Sequence, residues 1–239
     1  MKPISSFFLL AHILLMSSLG FGQGFIAPVN QFPMRNSCTV ELVNGATVVG
    51  KVKLTSLDKK GHLIAIALKD ASGITNNYEA QDIKRLYAKM DLLAKMDAFY
   101  GSSSSAAEIF GIEFHEVMER EYIIYEQALL PKKKDKYRLL QLVNPGSDNN
   151  IKVYHDPDAK ETKRLKLYSV ALTGGKDRSY LVVVHDQKAI KLKKKKYKKT
   201  FPQLYGTCPK MIELMGINKI KFKDMPAHIY AFDQLCEFK

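Results

Sequence analysis

The residues that could do chemistry in this chain are concentrated in one lysine-rich stretch. Eight of the twelve residues from position 188 to position 199 are lysine, and we call these eight the basic segment: Lys188, Lys191, Lys193, Lys194, Lys195, Lys196, Lys198 and Lys199. Closely spaced ammonium groups bind anionic polymers or lipid headgroups, and each lysine near a negative surface contributes about 1 kcal/mol. Tyr197 and Phe201 would add stacking if the ligand were nucleic acid. The alternative is a solvated hairpin and helix start that keeps a basic protein soluble.

The net charge places the basic segment inside a longer basic region. The chain carries 37 Lys and Arg against 24 Asp and Glu, for a net charge of +13. Residues 131–199 hold 20 of the basic residues and 7 of the acidic ones, so this region contains the whole excess. Within it, Lys132-Lys133-Lys134 beside Pro131 is typical of a solvated turn. The region predicts contact with an acidic partner, which could be an envelope polymer, a lipid headgroup or a protein.

No other group of polar residues has the pattern of a catalytic or metal site. His115 stands among three glutamates, but no second histidine stands at ligand spacing, so the prediction is a surface ion-pair cluster. His155-Asp156 and His185-Asp186 each end an apolar run, where Asp is ordinary turn chemistry. A nucleophile site would need a partnered Ser or Cys beside them. We therefore expect no catalytic residue, no metal and no cofactor.

The first 22 residues have the three zones of a secretory signal peptide. Lys2 supplies the positive start, and residues 7–16 are apolar except for one histidine. Gly20 and Gly22 occupy the small-x-small positions that a signal peptidase recognises, which predicts cleavage after Gly22, with the bond after Gly20 as the runner-up. The apolar run is about half of the ~20 residues that cross a bilayer, and no later segment is long or apolar enough. We expect export to the periplasm or cell envelope, or secretion; a retained anchor or a buried core helix is the alternative.

Export would place three cysteines in oxidising conditions, where a pair tends to close and the third stays free. Residues 209–215 predict a short helix that begins at Pro209, and a second helix follows Asp224 as its cap. If these helices run antiparallel, the start of the first lies beside the end of the second. We therefore predict a Cys208–Cys236 disulfide, which leaves Cys38 as the free thiol.

The first secondary-structure elements that the sequence predicts form a small β-barrel. Residues 23–37 predict an extended leader, and five short strands follow, at 38–43, 46–54, 62–68, 74–80 and 84–88. Asn44-Gly45 predicts the first hairpin, because both residues tolerate a positive φ. One helical turn at 81–83 precedes the fifth strand. The pattern is typical of an SH3-like or Sm-like barrel, and a short helix at 90–100 follows it.

A second β-rich part follows the flexible break at 101–105, where we place the domain boundary. Its strand candidates lie at 112–117, 122–130, 137–143, 151–154, 165–172, 180–184 and 188–193. Gly174-Gly175 predicts a hairpin between two of them. The predicted fold class is α+β and mostly β, with a C-terminal helical hairpin. The predicted divisions are a signal peptide at 1–22, a leader at 23–37, the barrel with its helix at 38–100, and a β-rich domain at 101–239.

Several motifs resemble a group of uncharacterised exported cell-envelope proteins of Bacteroidota-type bacteria. The resemblance is carried by four stretches of the barrel and by the tail, which are Leu42-Val43-Asn44-Gly45, Val49-Gly50-Lys51-Val52, Ile66-Ala67-Leu68-Lys69, Tyr78 to Lys84, Tyr197-Lys198-Lys199, Cys208-Pro209 and Cys236. It covers most of the chain after the signal peptide. Where that group often has an Asp before the Cys-Pro, this chain has Thr207. The resemblance implies a location in the cell envelope and implies no activity.

Together these patterns predict an exported, non-enzymatic binding or structural protein whose basic region contacts an acidic partner. The first alternative is a protein–protein adaptor that uses the small barrel. The second is an enzyme whose site is assembled from dispersed residues. Export argues against RNA as the ligand of an Sm-like barrel, so we do not expect nucleic acid as a partner.

Overall fold

Most of the chain after residue 23 packs around apolar cores that belong to a barrel and to a second, smaller sheet. The structure, a computed structural model, describes residues 24–34, 36–102, 112–130, 136–160, 165–167, 170–173, 178–185, 187–217 and 220–236. The predicted signal peptide and the predicted turn at Lys132-Lys133-Lys134 lie outside these residues. Among the helices in the described part, none is long and apolar enough to cross a membrane.

The five strands predicted for the barrel are present, with small shifts at their ends. They are β1 (Ser37–Leu42), β2 (Thr47–Leu57), β3 (Leu63–Lys69), β4 (Thr75–Glu79) and β5 (Ile83–Lys89). The predicted Asn44-Gly45 hairpin joins β1 to β2: Gly45 has a φ of +87°, and the Asn44 side chain accepts a hydrogen bond from the Ala46 N–H at 3.0 Å. Before β5 the chain makes one tight turn, in which the Asp82 N–H donates to the Glu79 carbonyl at 2.9 Å.

Two further strands close the barrel. β6 (Tyr122–Leu130) pairs with β5, and β7 (Lys136–Gln141) pairs with β6 and meets β3 where Leu139 faces Leu63. With the β1–β5, β1–β2 and β2–β3 pairs, these contacts form a closed ring of six strands, to which β4 is added at β3. The inward side chains are fully buried, including Val40, Val52, Leu68, Ile83 and Leu86. The barrel therefore takes strands from both sides of the break predicted at 101–105.

In the described part of the chain, two helices lie between β5 and β6. α1 (Leu92–Ser102) confirms the short helix expected after the barrel. α2 (Ile112–Glu119) lies where a strand was expected from the apolar run at 112–117, so that expectation is wrong. Glu113, Glu116 and Glu119 stand three residues apart, a spacing that places residues on one face of a helix but on alternate faces of a strand.

The second part contains a three-stranded sheet. Its strands are β8 (Ile151–Tyr154), β11 (Ser179–Val184) and β12 (Ile190–Lys193), with β11 in the centre. A separate pair, β9 (Leu165–Leu167) and β10 (Val170–Thr173), occupies the predicted strand at 165–172. The hairpin predicted across Gly174-Gly175 is wrong in its pairing, since β8 and β12 occupy both edges of β11. Residues 174–177 themselves lie outside the described part.

Three helices end the chain. α3 (Tyr197–Tyr205) follows β12 through a 3-10 turn at Lys194–Lys196, and α4 (Pro209–Ile217) and α5 (Met225–Leu235) form the expected C-terminal helix pair. Pro226 lies in the first turn of α5 as predicted, whereas the Asp224 side chain makes no capping hydrogen bond. A 3-10 turn at Phe222–Asp224 leads directly into α5, so the chain enters the helix without a side-chain cap. The fold class is thus α+β and mostly β, with a closed barrel and a C-terminal helix pair.

Candidate functional site

The basic segment runs from the loop before β12, along that strand and into α3. Seven of its lysines are exposed, and the exception is Lys191, which is partly buried. Six of the exposed lysines fall within seven consecutive residues, and we call them the lysine cluster: Lys193, Lys194, Lys195, Lys196, Lys198 and Lys199. The cluster is therefore a dense run of exposed positive charge.

Lys191 forms ion pairs with carboxylates of the same chain. Its Nζ lies 2.7 Å from Oδ2 of Asp156, which is 1% exposed, and 3.3 Å from Oδ2 of Asp158. The Ser179 hydroxyl donates to the same Asp156 oxygen at 2.7 Å. Burial lowers the pKa of Lys191, but the hydrogen bonds and charges of the two aspartates outweigh it and leave the pKa raised. Lys191 therefore stabilises the loop after β8 and is separate in role from the lysine cluster.

Buried aromatic side chains hold the lysine cluster in place. Tyr197 and Phe201 face the second core, and each is 1% exposed. The Tyr197 hydroxyl lies 2.7 Å from Nδ1 of His228 and 3.2 Å from the hydroxyl of Tyr205. The interpretation that Tyr197 and Phe201 stack on nucleic-acid bases is therefore wrong, because neither ring reaches the surface. Helical periodicity explains this, since residues 197, 201, 204 and 205 share one face of α3 and all four are buried.

The predicted Cys208–Cys236 disulfide is present. It joins the residue before α4 to the residue after α5, with the two Cα atoms 5.8 Å apart. Both cysteines lie in the second core with Met211, Ile229 and Phe232. The bond ties the helix pair, on which α3 packs, into a closed loop.

The third cysteine, Cys38, is free and buried inside the barrel. Burial raises the pKa of its thiol to about 12, so the thiol stays protonated at neutral pH. Because the thiolate is the nucleophile, Cys38 has no catalytic activation here.

The other candidates from the sequence do not come together as a catalytic site. The carboxylate of Asp156 is used by Ser179 and Lys191, and His185 lies in a turn with a φ of +45°. Asp186 and the side chain of His115 lie outside the described residues. Within the described part of the chain, no group of three or more His, Cys, Asp or Glu could hold a metal ion.

Two polar clusters were not predicted from the sequence. In the first, Asp58 at the end of β2 accepts from Nε of Arg138 at 2.9 Å and lies 3.2 Å from Nδ1 of His62. Burial raises the pKa of Asp58, but the hydrogen bonds from Arg138, from backbone N–H groups and from His62 outweigh it and hold the pKa far below its usual range. The spacing of Asp58 and His62 hints at a turn, but Arg138 is 80 residues away and no local pattern connects it to them.

The second unpredicted cluster surrounds Glu126 on β6, which is 4% exposed. Its carboxylate pairs with Arg85 on β5, accepts from the Tyr154 hydroxyl at 2.8 Å and lies 3.1 Å from Nζ of Lys152. Burial raises the pKa of Glu126, but Lys152, Tyr154 and Arg85 outweigh it and leave the pKa lowered. This cluster joins the barrel to β8 of the second sheet.

The fold and these clusters define an α+β protein with a closed six-stranded barrel, a second sheet and a disulfide-linked helix pair. Comparison of the chain with protein families, with curated proteins and with solved structures finds no match. The resemblance to exported envelope proteins therefore stays a prediction.

Proposed function

We propose that this protein is an exported, non-enzymatic binding or structural component of the cell envelope that contacts an acidic partner through its basic region. The observation that carries the proposal is the lysine cluster, six exposed ammonium groups within seven residues on a backbone held by buried Tyr197 and Phe201. An anionic partner would meet a preformed surface, so little ordering of the backbone would oppose binding.

The electrostatics of the cluster favour an external partner. Among the residues that the structure describes, none of the six lysines has a carboxylate within ion-pair distance, whereas Lys191 has two. Six like charges without counter-charges repel one another, and an anionic surface relieves that repulsion. The interaction is therefore expected to weaken with salt, because the screening length falls from about 10 Å at 0.1 M to about 3 Å at 1 M.

The disulfide supports the location in this proposal. Structural disulfides form and persist in oxidising compartments such as the periplasm and the cell surface, and they are rare in the cytoplasm. A Cys208–Cys236 bond buried in a core is of that structural kind. Together with the predicted signal peptide, it supports export.

The test compares two variants with the same loss of charge. In the first, Lys193, Lys194, Lys195 and Lys196 are changed to Gln; in the control, four exposed barrel lysines are changed to Gln, namely Lys51, Lys53, Lys69 and Lys84. Binding to immobilised polyglutamate is measured at 50 mM and 500 mM salt. The wild type should bind at low salt and be released at high salt, and the first variant should lose at least about tenfold in affinity. The control should stay close to the wild type.

An equal loss in the two variants would show that net charge, not the lysine cluster, governs binding, and the proposal would then fail. Binding that does not change with salt would also contradict it. A pull-down of the wild type from envelope extracts at the same two salt concentrations would identify the natural partner.

One observation favours the adaptor alternative. Three apolar side chains of β2 are more than half exposed, namely Val49, Leu54 and Leu57. Apolar side chains left exposed along one strand are available to a protein partner. An adaptor of this kind would lose its partner in a Leu54→Glu variant and would be indifferent to the four-lysine change at 193–196.

A further inference from the structure

A second pair of exposed lysines lies beside the lysine cluster in the fold, although it is distant in the sequence. Lys221 and Lys223 flank Phe222 at the 3-10 turn that leads into α5. The Phe222 ring contacts the Tyr197 ring, with 5.7 Å between the two centroids. Tyr197 is itself flanked by exposed lysines of the cluster. The contact between the two rings therefore joins the turn to the segment that carries the cluster.

The same turn packs on one face of the second sheet. The Phe222 ring stacks on Tyr180 of β11, with 5.8 Å between centroids, and Tyr180 lies opposite Leu192 of β12. Two residues along the ladder, the Lys194 N–H donates to the Arg178 carbonyl at 2.8 Å and continues this register. Residues two apart in a strand share a face, so Arg178 lies on the face where the turn packs.

Together these elements form one surface with nine cationic side chains. We call it the extended basic surface, and it consists of the lysine cluster with Arg178, Lys221 and Lys223. Arg178 is partly buried and the eight lysines are exposed. Within the described part of the chain, no carboxylate lies within ion-pair distance of any of the nine, including the partly buried Asp224 of the same turn.

The charges of this surface point in several directions. Lys194, Lys195 and Lys196 form one 3-10 turn in which no residue is buried. Successive residues of a 3-10 helix are about 120° apart around its axis. A flat anionic surface meets only one side of such a turn, whereas a flexible chain can follow the turn around. The arrangement therefore fits a linear polyanion better than a bilayer.

The aromatic side chains of this region also argue against a bilayer. Tyr197 and Phe201 are buried, and Tyr180 and Phe222 are partly buried. Peripheral helices that bind lipid combine basic residues with apolar side chains that enter the interface. Among its described residues, the extended basic surface exposes no large apolar side chain that could do so.

We propose that the extended basic surface binds a flexible, linear polyanion with a negative charge on each repeating unit, and that Lys221 and Lys223 contact this polymer together with the lysine cluster. The inference rests on the proposed function and adds to it a second contact and the form of the partner. Eight of the nine charges belong to lysine, a compact point charge and not a fork that fits one acidic group. Binding therefore follows charge density more than the kind of acid.

The first test examines the second contact. A variant with Lys221 and Lys223 changed to Gln is compared with a control in which the exposed barrel residues Lys53 and Lys84 are changed to Gln. Binding to labelled polyglutamate, which carries one carboxylate per residue, is measured by fluorescence anisotropy at low salt. The turn variant should bind at least about fivefold more weakly than the wild type, and the control should stay within about twofold of it.

The outcomes of this test separate the inference from the proposed function. If the wild type binds and the turn variant matches the control, the contact at Lys221 and Lys223 is wrong while the proposed function stands. If the wild type does not bind polyglutamate, both are wrong.

The second test separates a polymer from a membrane. At about 0.15 M salt, where the screening length is about 8 Å, the wild type is titrated with polyglutamate and with vesicles of equal parts phosphatidylglycerol and phosphatidylcholine. The two ligands are compared at the same concentration of accessible anionic groups. We expect binding to polyglutamate to be tighter by at least about fivefold, because no apolar side chain adds to the attraction of the vesicles. A smaller difference, or tighter binding to the vesicles, would overturn the linear polyanion and assign the surface to lipid headgroups.

Discussion

Cys38 is a free thiol, and its reactivity depends on its position inside the barrel. Cys38 belongs to β1, and its side chain is buried in the barrel core. This burial raises the pKa of the thiol to about 12. A thiol with this pKa carries almost no thiolate at pH 8, and thiolate is the reactive form. We therefore expect no reaction of the native protein with a thiol-specific disulfide reagent within an hour at pH 8.

The same reagent should find one thiol per chain once the protein is unfolded in urea without reductant. A Cys38→Ser variant should give none in either condition, because the other two cysteines are bonded to each other. Rapid reaction of the native protein would contradict the buried position of Cys38.

For single residues, the sequence shows which side chains could act but not what surrounds them in the folded protein. It locates the basic segment, but it does not separate Lys191, whose Nζ lies 2.7 Å from a buried carboxylate, from the exposed lysines around it. It also offers Tyr197 as a surface aromatic, although the helical face of α3 buries the ring. Both outcomes depend on partners distant in the chain, since Asp156 precedes Lys191 by 35 residues and His228 follows Tyr197 by 31.

The C-terminal helix pair depends on its disulfide. The Cys208–Cys236 bond has a sequence separation of 28, and closing a loop of that size stabilises a protein by about 3–4 kcal/mol on the chain-entropy model. Replacing both cysteines by Ser should lower the free energy of unfolding by about that amount, as measured by urea titration. Wild type in strong reductant should unfold at the same urea concentration as the double variant.

A double variant with wild-type stability would show that the helix pair is held by its apolar contacts alone. Those contacts are substantial, because Met211, Met225 and Phe232 are fully buried in the same core.

Local signals account for the elements that the sequence predicts correctly. Asn44-Gly45 specifies the first hairpin by its backbone preferences, and Pro209 and Pro226 mark the first turns of two helices. The errors arise where distant parts of the chain decide the outcome. The pairing of β11 with β8, rather than with its neighbour β10, is one such choice, and the closure of the barrel by β6 and β7 is another. The Asp58 and Glu126 clusters depend on these strand pairings, so no sequence motif predicts them.

The two parts of the molecule are connected through Glu126. Its carboxylate contacts Arg85 within the barrel and Lys152 on β8 of the second sheet, with the Tyr154 hydroxyl as a third partner. Arg85 and Lys152 each keep about a third of their side-chain surface in water, so losing the buried carboxylate costs less than breaking a fully buried pair, about 1–3 kcal/mol. We expect a Glu126→Gln variant to lose about that much stability at pH 7, measured by urea unfolding followed by circular dichroism.

The effect of Glu126 should depend on pH in a defined direction. The folded pKa of this carboxyl is lowered by Lys152, Tyr154 and Arg85 against the opposing effect of burial, so its contribution is complete above the unfolded pKa of about 4.3. That contribution is lost as the pH falls through the folded pKa. The stability difference between wild type and Glu126→Gln should therefore shrink below about pH 4, whereas a control change of the exposed Glu213 on α4 to Gln should alter stability little. A difference that stays constant down to pH 2 would mean that folding does not lower the pKa of Glu126.

The ring of six strands has a consequence for how the polypeptide matures as it emerges N-terminus first. When the first hundred residues have appeared, β5 still lacks β6, and the Leu63 end of β3 still lacks β7, so the unfinished sheet has an open edge along β5. An open strand edge forms β-sheet hydrogen bonds with any extended chain nearby. The nascent chain therefore has to be protected from such pairing until about forty more residues have been made. The barrel then closes where Leu63 pairs with Leu139.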